Sequence, residues 1–237
     1  MQAVILAGGL GTRLQSIVKD RPKPMAEIDG KPFLEYQVRF LKHYQVTELV
    51  FCVGHLHEQI QDYFHGGESW GVNIDYAVEK ELLGTGGALS NAEAYLHETF
   101  FVLNGDSFFD LNLSEFMRFH QRKKSEHRGY LGSIALAEVD DARNYGTIML
   151  SSDDRIVSFE EKSEKPKAAQ INAGIYILER GILEFIPPGQ KTSLERETMP
   201  LLLQNRSALC GYSANGFFVD IGTPSGFQKF EQHIQNR

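Results

Sequence analysis

The sequence predicts an α/β protein. A mixed, mostly parallel sheet is flanked by helices, Rossmann-like in its first half, and an antiparallel lobe is carried by the second half. Two observations lead there. Over the first hundred residues, short β-rich runs alternate with amphipathic helical stretches, the rhythm of a parallel, doubly wound sheet. After Asp110 strands follow one another with few helices between them, which reads as antiparallel strands grafted onto that core. No repeat, low-complexity tract or long linker divides the 237 residues. One domain is therefore expected, with residues 1 to about 110 as one half and about 111 to 237 as the other.

The elements follow in order. Ala3–Ala7 is a short apolar run and reads as a buried strand. Phe33–His43 has apolar residues at helical spacing, Glu48–Val53 is a second strand, His57–Phe64 a short helix and Val72–Val78 a third strand. Ala88–Leu96 is helical and Thr99–Leu103 a further buried strand. Leu113–Arg122 reads as a helix. Tyr130–Glu138, Tyr145–Leu150, Ile156–Glu160 and Ile171–Leu178 are strands. Helical stretches at Ile182–Phe185 and Glu195–Leu203 precede strands Ala208–Tyr212 and Phe217–Asp220 and a closing helix Ser225–Gln235.

Composition narrows the function. Hydrophobic residues make up 42% and charged residues 23%, as in an ordinary globular chain. Acidic residues outnumber basic ones 31 to 24. That argues against a nucleic-acid partner, because coating phosphates needs a basic face. Any polyanionic ligand must be held by local Lys and Arg. No apolar run approaches the ~18 residues of a spanning helix, and the apolar opening lacks the basic leader of a signal peptide. No membrane association and a cytoplasmic location are expected. Cys52 and Cys210 sit in apolar runs and read as buried thiols.

The first strand runs into Gly8-Gly9-Leu10-Gly11-Thr12-Arg13-Leu14. Glycines after a first strand let backbone N–H groups approach an anion closely. Leu14 stands where a dinucleotide fingerprint needs glycine, which argues against an NAD-dependent enzyme, and no G-K-[S/T] follows as a P-loop requires. A tight turn is the plain alternative. Ten residues later Arg21-Pro22-Lys23-Pro24-Met25 reads as a stiff, extended segment presenting one lysine. Arg13 and Lys23 beside a nest of N–H donors would form a polyphosphate cradle. Asp106 and Asp220 each end a strand, and two such carboxylates suit Mg²⁺, which takes one or two protein carboxylates plus phosphates. Capping the following turn is the alternative for each. His55-x-His57 lacks an evident third ligand for zinc and reads as a solvated loop pair.

Leu6-Ala7-Gly8-Gly9-x-Gly11-Thr12-Arg13-Leu14 with Pro22-Lys23-Pro24-Met25 resembles the signature of the sugar-phosphate nucleotidyltransferases. Further stretches resemble that family in order: Glu79-x-Glu81-x-Leu83-Gly84-Thr85-Gly86-Gly87-Ala88, Asn104-Gly105-Asp106, Tyr145-Gly146, Phe159-Glu160-Glu161-Lys162, Asn172-Ala173-Gly174-Ile175-Tyr176 and Phe218-Val219-Asp220-Ile221-Gly222-Thr223-Pro224. Residues 2 to about 228 are covered.

The resemblance implies an enzyme that joins a nucleoside triphosphate to a sugar 1-phosphate and releases pyrophosphate. Arg13, Lys23 and Lys162 would be its catalytic cations and Asp106 and Asp220 its Mg²⁺ ligands. Leu6, Ala7, Gly8, Gly9, Gly11, Thr12, Glu79, Gly84, Thr85 and Asn104 would bind the nucleotide. Gly146, Glu161, Lys162, Asn172, Gly174 and Glu195 would bind the sugar phosphate. For Glu195, charge complementing a helix N-terminus is an equal alternative. Ser163 stands where the family often has proline, which leaves the shape of the Lys162 loop open.

A carboxylate at Glu79 accepts hydrogen bonds only, so guanine, with adjacent N1–H and N2–H₂ donors, suits it better than uracil does. GTP is the nucleotide this favours. Within the family the whole chain most resembles the branch that joins GTP to a heptose 1-phosphate for bacterial surface glycans. Mannose 1-phosphate guanylyl transfer and N-acetylmuramate 1-phosphate uridylyl transfer are the alternatives. A non-catalytic nucleotide or sugar-phosphate sensor is the alternative of another class. Few residues follow Thr223, so no β-helical domain is expected after it, and the reading allows a homodimer.

Overall fold

A computed structural model describes residues 1–9, 20–143, 145–160, 168–205 and 208–236, and for Glu160 the backbone alone. In chain order the strands are β1 (Gln2–Leu6), β2 (Glu27–Ile28), β3 (Lys31–Pro32), β4 (Glu48–Val53), β5 (Asn73–Val78), β6 (Thr99–Asn104), β7 (Ser107–Phe109), β8 (Tyr130–Val139), β9 (Thr147–Leu150), β10 (Ile156–Glu160), β11 (Ala169–Glu179), β12 (Ala208–Ala214) and β13 (Phe218–Asp220). The helices are α1 (Phe33–His43), α2 (His57–Phe64), α3 (Gly84–Asn91), α4 (Leu113–Glu126), α5 (Met199–Gln204) and α6 (Pro224–Gln235).

Among the described residues the main sheet has nine strands, in the order β10-β9-β11-β6-β1-β4-β5, with β8 pairing β11 and β12. β1 lies between β4 and β6 and is parallel to both, and β5 extends the parallel part beyond β4. β11 runs antiparallel to β6 and joins the two halves in one sheet. Residues 3 to 5 of β1 are fully buried apolar side chains, as a central strand covered on both faces requires. β1, β4 and β6 therefore share one C-terminal edge, where an open parallel sheet binds its ligands.

The antiparallel expectation for the second half holds for β8, β9, β10 and β11. It fails for β12, which pairs with β8 in parallel. The chain reaches β12 through α5 instead of a turn, so it can enter the sheet in either direction.

Apolar residues form two large clusters on the faces of the sheet and a third, smaller one. The third joins Ala26, Ile28 and Phe33 to Phe108, Val219, Ile221 and Phe230. Phe230 of α6 packs edge-on against Phe33 at a ring distance of 5.1 Å. This cluster sits behind the segments that carry Lys23, Asp106 and Asp220.

Candidate active site

Lys23, Asp106 and Asp220 lie far apart in the sequence and meet at one point. Lys23 Nζ donates to Asp106 Oδ2 at 2.6 Å and lies 3.9 Å from Asp220 Oδ1. The lysine side chain is only 8% exposed, against 32% for Asp106 and 20% for Asp220. Each residue is carried by a segment whose apolar neighbours enter the third cluster. Ala26 and Ile28 follow Lys23, Phe108 follows Asp106, and Val219 and Ile221 flank Asp220. β7 pairs with β13 and sets Asp220 opposite Ser107, next to Asp106.

The extended reading of Pro22-Lys23-Pro24 is corrected. Lys23–Met25 is a single 3₁₀ turn, with Met25 N–H bonded to Pro22 O and Ala26 N–H to Lys23 O. A proline at a helix start loses no hydrogen bond, because the first N–H groups have no partner in the turn. The turn leads into the β2–β3 hairpin, whose Asp29-Gly30 corner takes positive φ at both residues. Asp-Gly is a strong hairpin signal, and the sequence reading passed over it.

The turn that carries Asp106 is held by four hydrogen bonds to three neighbours. Gly105 N–H donates to Leu6 O at 3.0 Å and Ile221 N–H to Asp106 O at 2.9 Å. Gln37 of α1 sends its side-chain amide to both ends of the turn, 2.8 Å to Asn104 O and 2.8 Å to Ser107 O. A β-carbon on Gly105 would come within 2.6 Å of Leu6 O, so only glycine allows this approach to β1. The sequence reading missed Gln37. Its one signal was a polar residue on the buried face of α1.

Leu6, Ala7, Gly8, Gly9, Glu79, Gly84, Thr85 and Asn104 line one cleft of about 480 Å³ together with Lys23 and Asp106. Lys191 lines it as a second cation that the sequence reading did not single out. Glu79 is buried in its floor. One carboxylate oxygen accepts Leu83 N–H at 3.0 Å and the other lies against Gly8, where a β-carbon would come within 2.4 Å of it. Burial raises the pKa of Glu79, and the Leu83 N–H offsets part of that rise.

The glycine run after Leu83 is divided. Helix α3 starts at Gly84, which has φ +70°, and not at Ala88 as the periodicity suggested. Gly86 and Gly87 give their N–H groups to Thr192 O, at 2.9 and 3.2 Å. A β-carbon on Gly87 would meet Gln190 O at 2.5 Å. Gly84 and Thr85 face the cleft, while the next two glycines let the 190–192 segment close its outer wall.

Asn172, Gly174 and Glu195 form a relay with Tyr176 behind Asn104. Thr85 Oγ1 donates to Glu195 Oε2 at 2.7 Å and Tyr176 OH to Glu195 Oε1 at 3.2 Å. Asn172 Nδ2 donates to Tyr176 OH at 2.9 Å, and Asn172 Oδ1 accepts Gly174 N–H at 2.9 Å. Asn104 also holds the Tyr176 pKa down in part. Burial first, and Glu195 second, raise the Tyr176 pKa well above the tyrosine range, so its proton stays in the relay. The helix-start alternative for Glu195 has a basis here, and Glu195 does not line the cleft. It lies in the first turn of the π-helical segment Leu194–Thr198, capped by Ser193, and it joins the two halves. A shift of register in β11 between Asn172 and Tyr176, with Gly174 at φ +73°, lets this strand pass close to Asn104. Gly146 is exposed just before β9 and does not line the cleft. Gly11, Thr12, Arg13, Glu161 and Lys162 lie outside the described residues.

Among the described residues no group of three or more His, Cys, Asp or Glu converges as a metal cage. The donor set at Asp106 and Asp220 still fits Mg²⁺. Both carboxylates already share one cation, the Lys23 ammonium, and both are partly open to further oxygen ligands. Cys52 and Cys210 are buried free thiols, and burial pushes the Cys210 pKa up to about 11.

Residues 2–237 match the model of the nucleotidyl transferase family. The chain belongs to that family. Within it, the chain is 39% identical over 97% of its length to a D-glycero-alpha-D-manno-heptose 1-phosphate guanylyltransferase of Campylobacter jejuni, covering 98% of that protein. A protein of the same name from Aneurinibacillus thermoaerophilus is 34% identical over 100% of the chain, with 99% of it covered. Among solved structures, HddC from Yersinia pseudotuberculosis complexed with GMP-PN superposes with a TM-score of 0.84 at 33% identity, covering 98% of this chain and 99% of that one. The mixed, mostly parallel sheet is therefore the fold of this nucleotidyl transferase.

Proposed function

We propose that this chain joins GTP to D-glycero-α-D-manno-heptose 1-phosphate, giving GDP-heptose and pyrophosphate. The observation that carries the reading is the meeting of Lys23, Asp106 and Asp220 at the edge of a cleft whose floor holds Glu79. Relatives of this name match the chain almost end to end. In the reaction a phosphate oxygen of the sugar 1-phosphate attacks the α-phosphorus of GTP in line, and pyrophosphate leaves with the bond electrons. Such chemistry rests on positioning and charge neutralisation, and no covalent enzyme intermediate is needed.

Gly8 and Gly9 would lie along the triphosphate, and Lys23 would move from Asp106 to a phosphate oxygen. Asp106 and Asp220 would hold Mg²⁺, which when bound screens the repulsion between the two anionic substrates. Arg13 would stabilise the departing pyrophosphate, and Lys162 would hold the sugar phosphate. Asn172, Gly174, Glu161 and Gly146 would bind the sugar. No described helix is long and apolar enough to cross a membrane. A cytoplasmic homodimer that supplies surface-glycan synthesis completes the reading.

The test is a matrix of four nucleoside triphosphates against heptose, mannose, glucose and N-acetylmuramate 1-phosphates, scored by Mg²⁺-dependent pyrophosphate release. Fastest release with GTP and the heptose phosphate is expected. Faster release with UTP, or with another sugar, would reassign the substrates. No release in any cell would favour the sensor.

A further inference from the structure

Gln37 belongs to none of the substrate-binding motifs, lies on α1 and does not line the cleft. It is nonetheless buried, at 1% exposure, and its amide nitrogen spends both of its hydrogens on the Asp106 turn. One goes to the carbonyl that ends β6, the other to the carbonyl that begins β7. These two carbonyls bracket Gly105 and Asp106, so their separation sets where the Asp106 carboxylate points. No other natural side chain of this length is neutral and offers two hydrogens from one nitrogen. Its own carbonyl oxygen, Oε1, is buried without a partner among the described residues. Leaving a buried acceptor unmet costs about 1–3 kcal/mol, which a side chain kept only for packing would not incur.

We propose that Gln37 is a positioning residue for the metal site, acting through the Asn104–Ser107 turn to hold the Asp106 carboxylate at the distance from Asp220 that a divalent cation needs. The inference rests on the Mg²⁺ reading of Asp106 and Asp220 given above. The Lys23 ammonium marks the point that both carboxylates can reach, 2.6 and 3.9 Å from their nearest oxygens. Asp220 is already fixed locally by the Gly222 N–H on its Oδ1, at 2.6 Å. Among the described residues Asp106 has only the Ser107 hydroxyl at 3.3 Å beside Lys23, so its aim depends on the turn. Partners that orient a metal-ligating group are commonly worth 10–100-fold in metal affinity.

The experiment is a titration of the free, full-length protein with Mn²⁺, followed by electron paramagnetic resonance. Gln37→Met keeps the length and packing of the side chain and removes both donors. Gln37→Asn keeps the amide but is one methylene too short to span the turn. Val38→Ala, on the same helix, loosens the core without touching those bonds. Both Gln37 variants are expected to bind Mn²⁺ about tenfold or more weakly, while Val38→Ala binds it as the wild type does. Unchanged Mn²⁺ affinity in the Gln37 variants would overturn the proposal. Equal weakening by Val38→Ala would reduce Gln37 to a structural role and overturn it as well. If the wild-type protein shows no saturable Mn²⁺ site, the metal reading itself fails and the inference falls with it.

Discussion

Replacing Glu79 by glutamine should narrow the enzyme's choice between GTP and UTP. The carboxylate is buried in the cleft floor, with one oxygen on Leu83 N–H at 3.0 Å and the other against Gly8. Each oxygen still has a lone pair for a base. Guanine offers two adjacent donors, whereas uracil offers one N–H beside a carbonyl oxygen that the carboxylate repels. A hydrogen bond to a charged group contributes about 1.5–3 kcal/mol, and ~1.4 kcal/mol is a factor of ten. One bond of difference therefore gives the wild type a GTP preference of about tenfold to a hundredfold. Glu79→Gln, which can donate to a uracil carbonyl, should bring the ratio to within a few-fold. ITP, which lacks the N2 amino group, should fall between GTP and UTP with the wild type and match GTP with the variant.

The same geometry fixes a pH dependence. Because burial raises the Glu79 pKa, its charge is lost at a higher pH than that of an exposed glutamate. The wild-type preference for GTP should shrink as pH falls through the acid range, and that of Glu79→Gln should stay flat. The assay is pyrophosphate release under GTP–UTP and GTP–ITP competition at several pH values. A GTP-to-UTP ratio that Glu79→Gln leaves unchanged would show that Glu79 does not read the base.

Four further outcomes follow from the charged groups. Lys23→Ala should lower turnover by about 100-fold or more with the fold intact, as expected for one preorganised charge donor, and near-normal turnover would remove Lys23 from the mechanism. Asp106→Asn and Asp220→Asn should each raise the Mg²⁺ concentration needed for half-maximal rate, and full activity in EDTA would end the metal reading. His120 is buried and bonded to Glu179 at 2.8 Å, with Ser133 on its other nitrogen at 3.1 Å. His120→Ala should therefore cost about 2–4 kcal/mol, seen as a lowered melting temperature. Burial raises the Glu179 pKa, but hydrogen bonds from His120, Lys124 and Thr99 outweigh it and leave it below the ordinary glutamate value. That stability is present above the unfolded pKa of about 4.3 and lost as pH falls through the lower folded value. A thermal-melt series should show this acid limb flattened in Glu179→Gln.

Residue order alone determined the elements whose periodicity or apolar run is local. Helices Phe33–His43 and His57–Phe64 and strands Glu48–Val53 and Ile156–Glu160 lie where the pattern put them, because side-chain period reports directly on which face is buried. Asp106 follows β6 and Asp220 ends β13, as the apolar runs before them imply. What the sequence could not determine depends on groups that meet from distant positions. The start of α3 at Gly84 is set by Thr192 O capping Gly86 and Gly87, a contact more than a hundred residues away along the chain. The place of β12 is set by which edge of β8 remained open, and its parallel entry is allowed by the crossover through α5. The Pro-Lys-Pro pattern singles out Lys23 as a catalytic cation, but it does not show that Phe108, Val219 and Phe230 draw three segments together and bring two carboxylates to it. Gln37 carries no motif, because its role lies in the spacing of two backbone carbonyls, which every residue type possesses and no sequence pattern records.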